Sequence, residues 1–189
     1  MSRSYRISVR ESTDRVIRAR DHVSTKLEIL EVLPPEQMAG LLADELERRG
    51  FKREGDALVR REKGIVITVE PECGAVTVAA ESAEKTTLEA TREGRAYDDA
   101  GPNAQRTREQ LREEAKRDLE KKAEEKETAL QTKVTDKLEA ALGGLRQELD
   151  QAVNRVTAEA LKRKAAQMGQ IKELTEDPQT GSLTIVVEV

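Results

Sequence analysis

From Asn103 to Met168 the sequence has no proline and only two glycines, Gly143 and Gly144, in a run rich in Ala, Glu, Lys, Arg, Leu and Gln. Such a run has little alternative to the helix: these side chains lose few rotamers there, and nothing interrupts the hydrogen-bond ladder. Its apolar or small residues fall at Leu111, Ala115, Leu119, Ala123, Leu130, Val134, Leu138, Leu142, Leu145, Leu149, Val153, Val156 and Ala160, with Glu127 interrupting the series. The mean step is about 3.8 residues, longer than the 3.5 of a left-handed coiled coil. The pattern predicts a long amphipathic, coiled-coil-like helical arm over 103–168 that packs against something, and it argues against a parallel two-stranded zipper. Gly143-Gly144 leaves two forms open. One is a continuous or kinked helix about 95 Å long at 1.5 Å per residue. The other is an antiparallel hairpin of 103–142 and 145–168. Leu142 and Leu145 keep the stripe in phase across the glycines, which argues for the first form.

One helix cannot bury this stripe alone. Leu130, Val134, Leu138, Leu142, Leu145, Leu149 and Val153 are the candidate interaction residues, because each buried side chain of this size contributes roughly 1.5–3 kcal/mol and seven exposed together would invite aggregation. The head of the protein, the other half of the arm, a second copy or a foreign partner could cover them. The surrounding charges are of both signs, which suits a specific protein surface. The expected partner is therefore a protein, a homo-oligomer, or both.

The N-terminal part reads as α+β. Tyr5, Ile7 and Val9 alternate with polar residues, the period of a half-buried strand. A polar break is expected at Ser12-Thr13-Asp14, and a second extended stretch over Leu27–Leu33. Pro34-Pro35 stops that stretch and opens a helix over 34–50, with Met38, Leu41, Leu42 and Leu46 as its apolar stripe, Gly50 as a left-handed cap and Phe51 as a clasp. Ala57–Arg60, Ile65–Val69 and Ala75–Val78 read as strands, the last two joined by Glu70-Pro71-Glu72-Cys73-Gly74, a turn closed by glycine at positive φ. The same acid-Pro-x-x-Gly-x-aliphatic-Thr-aliphatic pattern recurs from Asp177 to Ile185. It predicts a C-terminal hairpin of Ile171–Leu174 with Leu183–Val189. Because an isolated hairpin is marginal in water, that hairpin is expected to return to the sheet. Ala79–Thr91 is weakly helical or extended. The organisation expected is an α+β head over 1–93, a linker over 94–102, the arm over 103–168 and a hairpin over 169–189 completing the head.

Composition removes several classes of function. Aromatics are limited to Tyr5, Phe51 and Tyr97, too few for a base-stacking platform. The segments 1–101, 102–168 and 169–189 carry net charges of −3, +2 and −3, so none has the field of a phosphate-backbone binder. Lys162-Arg163-Lys164 reads as a solvated helix end. No apolar run approaches the ~20 residues of a spanning helix, and Met1–Arg10 has no secretory character, so a cytoplasmic protein without membrane insertion is expected.

Little chemistry is visible. His22 is the only histidine and stands beside Asp21 with no nucleophile motif; Cys73 is the only cysteine, so there is no internal disulfide and no thiolate cluster. Asp98-Asp99 could meet a divalent cation but reads as a solvated loop. No phosphate loop, dinucleotide fingerprint, zincin or nucleophile-elbow pattern occurs. No catalytic, cofactor-binding or metal residue is assigned, and the expected protein is not an enzyme. The alternative, a ligand- or metal-binding protein or enzyme using surface carboxylates, would rest on pairs such as Glu45/Glu47 and Glu113/Glu114.

The blocks Ser4–Val9, Leu27–Leu30 and Leu33–Leu42, closing on Arg49-Gly50-Phe51, resemble a small accessory protein of bacterial ternary systems. In those systems an AAA+ ATPase of the MoxR or FtsH kind stands beside a von Willebrand factor A protein. The Asp177-Pro178-x-x-Gly181-x-Leu183-Thr184 segment fits the same resemblance. It implies a non-enzymatic component working beside an ATPase.

Overall fold

A computed structural model describes residues 4–97, 101–176 and 182–188. The architecture is α+β: β1 (Tyr5–Lys26), α1 (Pro35–Arg48), β2 (Lys52–Glu54), β3 (Ala57–Glu62), β4 (Ile65–Glu70), β5 (Ala75–Ala96), α2 (Pro102–Met168), β6 (Gln170–Glu176) and β7 (Leu183–Glu188). Five strands form one sheet in the order β1-β5-β4-β3-β2; β6 and β7 form a separate two-stranded sheet. The expected return of the C-terminal hairpin to the main sheet is therefore corrected, since β6 and β7 pair with each other and with no strand of that sheet. The turn expected over Asp177–Gly181 lies outside the described residues.

The chain divides into two compact units, which cut across the expected head-and-arm order. One comprises Met1–Arg20 and Glu81–Thr135, the other Asp21–Ala80 and Asp136–Val189. In the second unit, β4 presents Ile65, Ile67 and Val69 to the core and β5 presents Val76, Val78 and Ala80, with Ile67 opposite Val78 and Val69 opposite Val76. Leu42 and Leu46 of α1 are fully buried. That helix ends as the sequence foretold: Gly50 takes φ 87°, its N–H donates to Glu47 O, and the Phe51 N–H donates to Leu46 O. Lys63 and Gly64 both take positive φ in the two-residue β3–β4 turn, the primed geometry that matches strand twist. The β4–β5 turn also forms as expected, with Gly74 at φ 69° and its N–H donating to Glu70 O at 2.8 Å.

In the first unit, β1 and β5 run antiparallel, because partners on β5 fall in number as those on β1 rise. Arg6 pairs with Glu93, Arg10 with Glu89, and the Thr87 hydroxyl donates to Asp14. The first 34 residues of α2 lie on one face of this ribbon. Leu88 and Ala90 meet Ala115, Leu119 and Ala123; Ile7 and Ala96 meet Ala104 and Leu111. Arg92 and Asp118 close the contact with a two-bonded ion pair at 2.5 and 2.6 Å.

Three expectations are corrected here. β1 continues through Ser12-Thr13-Asp14, where Asp14 finds the Thr87 hydroxyl instead of a turn. Leu27–Leu33 is not a strand. The Leu27 N–H still bonds Gly74 O at 2.8 Å, but β5 begins at Ala75, so nothing remains for the next residues to pair with. The expected 94–102 linker is strand as far as Ala96. Gly94 is not turn punctuation but a close-approach site, since a Cβ there would lie 3.1 Å from Leu111 Cδ1 and 3.3 Å from Thr107 Cγ2. Gly143 and Gly144 lie within continuous helix, the first of the two forms left open.

Two outcomes follow. Lys63→Asn should raise stability by about 0.5–1 kcal/mol in urea titration, because asparagine tolerates the left-handed region better than lysine; an unchanged midpoint would show the turn is unstrained. Deleting 170–189 should leave the cooperative thermal transition of the main sheet within a few degrees of the full chain, since no ladder bonds tie the hairpin to it; loss of that transition would show the hairpin to be part of the core.

Candidate functional site

The seven stripe residues divide sharply. Leu130, Val134, Leu138, Leu145 and Leu149 are buried, each at 6% exposure or less. The chain itself covers them, so the need for a foreign cover falls away at these five positions. Leu142 and Val153 are half-buried and open onto a groove of about 800 Å³, lined also by Leu27, Val78, Arg146 and Asp150. These two are the part of the stripe a partner can reach.

A polar network lies beside this stripe, in the second unit. Arg60, on β3, is aimed at α2 and donates from both terminal nitrogens to the two oxygens of Glu148 at 2.7 Å each. Its guanidinium stacks over the Phe51 ring at 4.6 Å and donates to Arg49 O at 3.1 Å. Arg49 in turn donates to the Glu148 main-chain oxygen at 3.1 Å and to the Glu45 carboxylate at 2.8 Å. Glu45 is the only buried charged residue among those described, and Arg48 and Arg155 stand 3.7 Å from its oxygens. The network thus joins α1, β3 and α2 through charge-assisted bonds whose planar fork fixes the register of the helix. A second cleft, of about 400 Å³, is lined by Glu45 of this network with Asp44, Arg48, Arg155, Glu159 and Arg163.

None of this was legible as a site beforehand. Glu45 falls in phase with Met38, Leu41, Leu42 and Leu46, and a carboxylate on an apolar stripe was the available signal. Arg60 and Glu148 are 88 residues apart and carry no local mark. The remaining chemistry-bearing residues stay apart. His22 is exposed, and Cys73 is exposed with its thiol 3.3 Å from Glu70 Oε2. Asp98 and Asp99 lie outside the described residues. Among the described residues, no group of three or more His, Cys, Asp or Glu could hold a metal ion, and no helix is long and apolar enough to cross a membrane.

The hydrogen bonds from Arg60 hold the Glu148 carboxyl below its ordinary value of 4.5, and burial opposes this less strongly. Because its folded-state pKa is lowered, the stabilisation from Glu148 is full above the unfolded-state pKa and is lost as pH falls through the folded-state value. Glu148→Gln should therefore cost about 1–3 kcal/mol at pH 7, the range for hydrogen bonds to charged groups discounted for residual solvent contact. The gap from wild type should close in urea titrations below pH 4.5. A gap that is constant with pH would show that shape, not charge, joins the helix to the sheet.

Neither the curated proteins nor the solved structures contain a significant match to this chain. A family model does match, over residues 1–189: FtsH ternary system domain X5. A match along the whole chain takes in both units and the hairpin together, and the chain belongs to the FtsH ternary system domain X5 family.

Proposed function

We propose that this protein is a non-enzymatic, cytoplasmic accessory module that binds a protein partner within an AAA+ ATPase-based complex, in a system that also includes a von Willebrand factor A protein. The observation that carries this is the family match over the entire chain to a domain of an FtsH ternary system. The scattered placement of His22, Cys73 and the surface carboxylates supports a binding role over a catalytic one. The groove supports it as well, because Leu142 and Val153 are the stripe residues left in reach of another surface. Folding takes up the other five, so self-assembly through the whole stripe is not part of this proposal.

Co-expression with the FtsH-type ATPase of its own system should yield a complex that survives gel filtration. Val153→Glu should weaken that complex about tenfold while leaving the thermal transition within a few degrees of wild type. A protein that never co-purifies with the ATPase complex, or that hydrolyses substrate alone, would contradict the proposal.

A further inference from the structure

The first unit has a long strand edge that no other strand among the described residues pairs with. β4 pairs with β5 only from Ala75 to Ala80, so from Glu81 onward β5 has β1 alone as a neighbour. The two strands are served differently. On β5, Lys122 of α2 donates to Glu89 O at 2.6 Å and Lys126 donates to the Thr86 hydroxyl at 2.7 Å, the kind of lysine cover that discourages strand addition. On β1, Gln131 reaches Arg20 O at 3.4 Å; among the described residues no side chain bonds the main chain from Tyr5 to Ala19. This stretch contains no proline.

The edge is also basic within an acidic chain. Residues 5–20 hold five arginines against Glu11 and Asp14, whereas the whole protein is at −4. Glu93 and Glu89 neutralise Arg6 and Arg10. The guanidinium groups of Arg15, Arg18 and Arg20 are exposed and meet no carboxylate among the described residues. Arg18 and Arg20 alternate with buried Ile17 and Ala19, which puts them on the solvent face of the strand.

Charge selects the occupant. An antiparallel pairing of β1 with its own copy that matches Val9 to Ile17 and Ile7 to Ala19 sets Glu11 opposite Arg15 but Arg6 opposite Arg20 and Ser8 opposite Arg18, so attraction and repulsion offset and neither Arg18 nor Arg20 gains a carboxylate. A nucleic acid offers phosphates to an edge where carbonyl oxygens alternate with N–H donors, so half of its contacts would repel. A peptide backbone satisfies both kinds of group. We propose that the outer edge of β1 accepts an extended acidic segment of a partner protein as an added strand, its carboxylates alternating so as to sit beside Arg18 and Arg20. This rests on the partner-binding reading above and assigns that partner a chemistry.

The test uses the full chain and a fluorescein-labelled synthetic peptide of alternating glutamate and valine, followed by anisotropy, with amide hydrogen exchange as a second readout. The peptide should bind, amides between Ile7 and Ala19 should gain protection, and Arg18→Glu with Arg20→Glu should weaken binding tenfold or more. The same peptide N-methylated at alternate residues, its lysine counterpart and a duplex DNA should each bind at least tenfold more weakly. No binding, no added protection in β1, or equal binding of the methylated peptide or the DNA would overturn the edge assignment. Co-purification with the ATPase complex separates the two claims. If it survives Arg18→Glu with Arg20→Glu, the edge is excluded and the accessory role stands; if the wild type fails it, the accessory role itself fails.

Discussion

A 67-residue helix cannot shield one side of itself from water, and the fold depends on what shields α2. Its buried residues include Ala104, Leu111, Ala115, Leu119, Ala123, Leu130, Val134, Leu138, Leu145, Leu149, Val156 and Ala160, spaced almost throughout by four or seven. That spacing follows a single face of a 3.6-residue helix with a slow drift, so one side of α2 is buried in both units. Alanine recurs where α2 meets the β1–β5 ribbon, and Gly94 answers it from the strand side. Both let the backbones approach closely.

Apolar burial alone would let such a helix slide by a turn, since the next aliphatic residue would fill the same space. Directional bonds remove that freedom. Arg92–Asp118 fixes the ribbon contact in one unit, and Arg60–Glu148 fixes the helix against β3 in the other. The second is the stronger constraint, because Arg60 is simultaneously stacked on Phe51 and bonded to Arg49 O. Phe51 owes its position to the Gly50 cap of α1, so a local backbone signal and a long-range ion pair meet at one ring.

The parts of this fold that were legible in the sequence were those with a local cause. The α1 stripe and its Gly50 cap, the Glu70–Gly74 turn, and the helix across Gly143-Gly144 each follow from nearby residues. What could not be read depended on distant ones. Residues 81–96 have the Ala, Glu, Lys and Thr composition of a helix and become strand only because β1 pairs with them and α2 covers Leu88 and Ala90. Leu27–Leu33 looks like strand and is not, because its potential neighbour ends at Gly74. The stripe was read correctly as needing cover. That five of its seven candidate contacts would be covered by the chain itself depends on residues distant in sequence, such as Ile65 and Ile67, which line one cleft with Leu145, and no periodicity over 103–168 could report them.

The central claim is that α2 is the core of this chain and not an arm awaiting a partner. Amide hydrogen exchange on the isolated monomer, at concentrations where sedimentation shows no assembly, tests it directly. The account requires slow exchange along α2 from Leu111 to Ala160, unbroken across Gly143 and Gly144, and independent of protein concentration. Rapid exchange in the monomer, with protection appearing only on assembly or on addition of the ATPase complex, would contradict it.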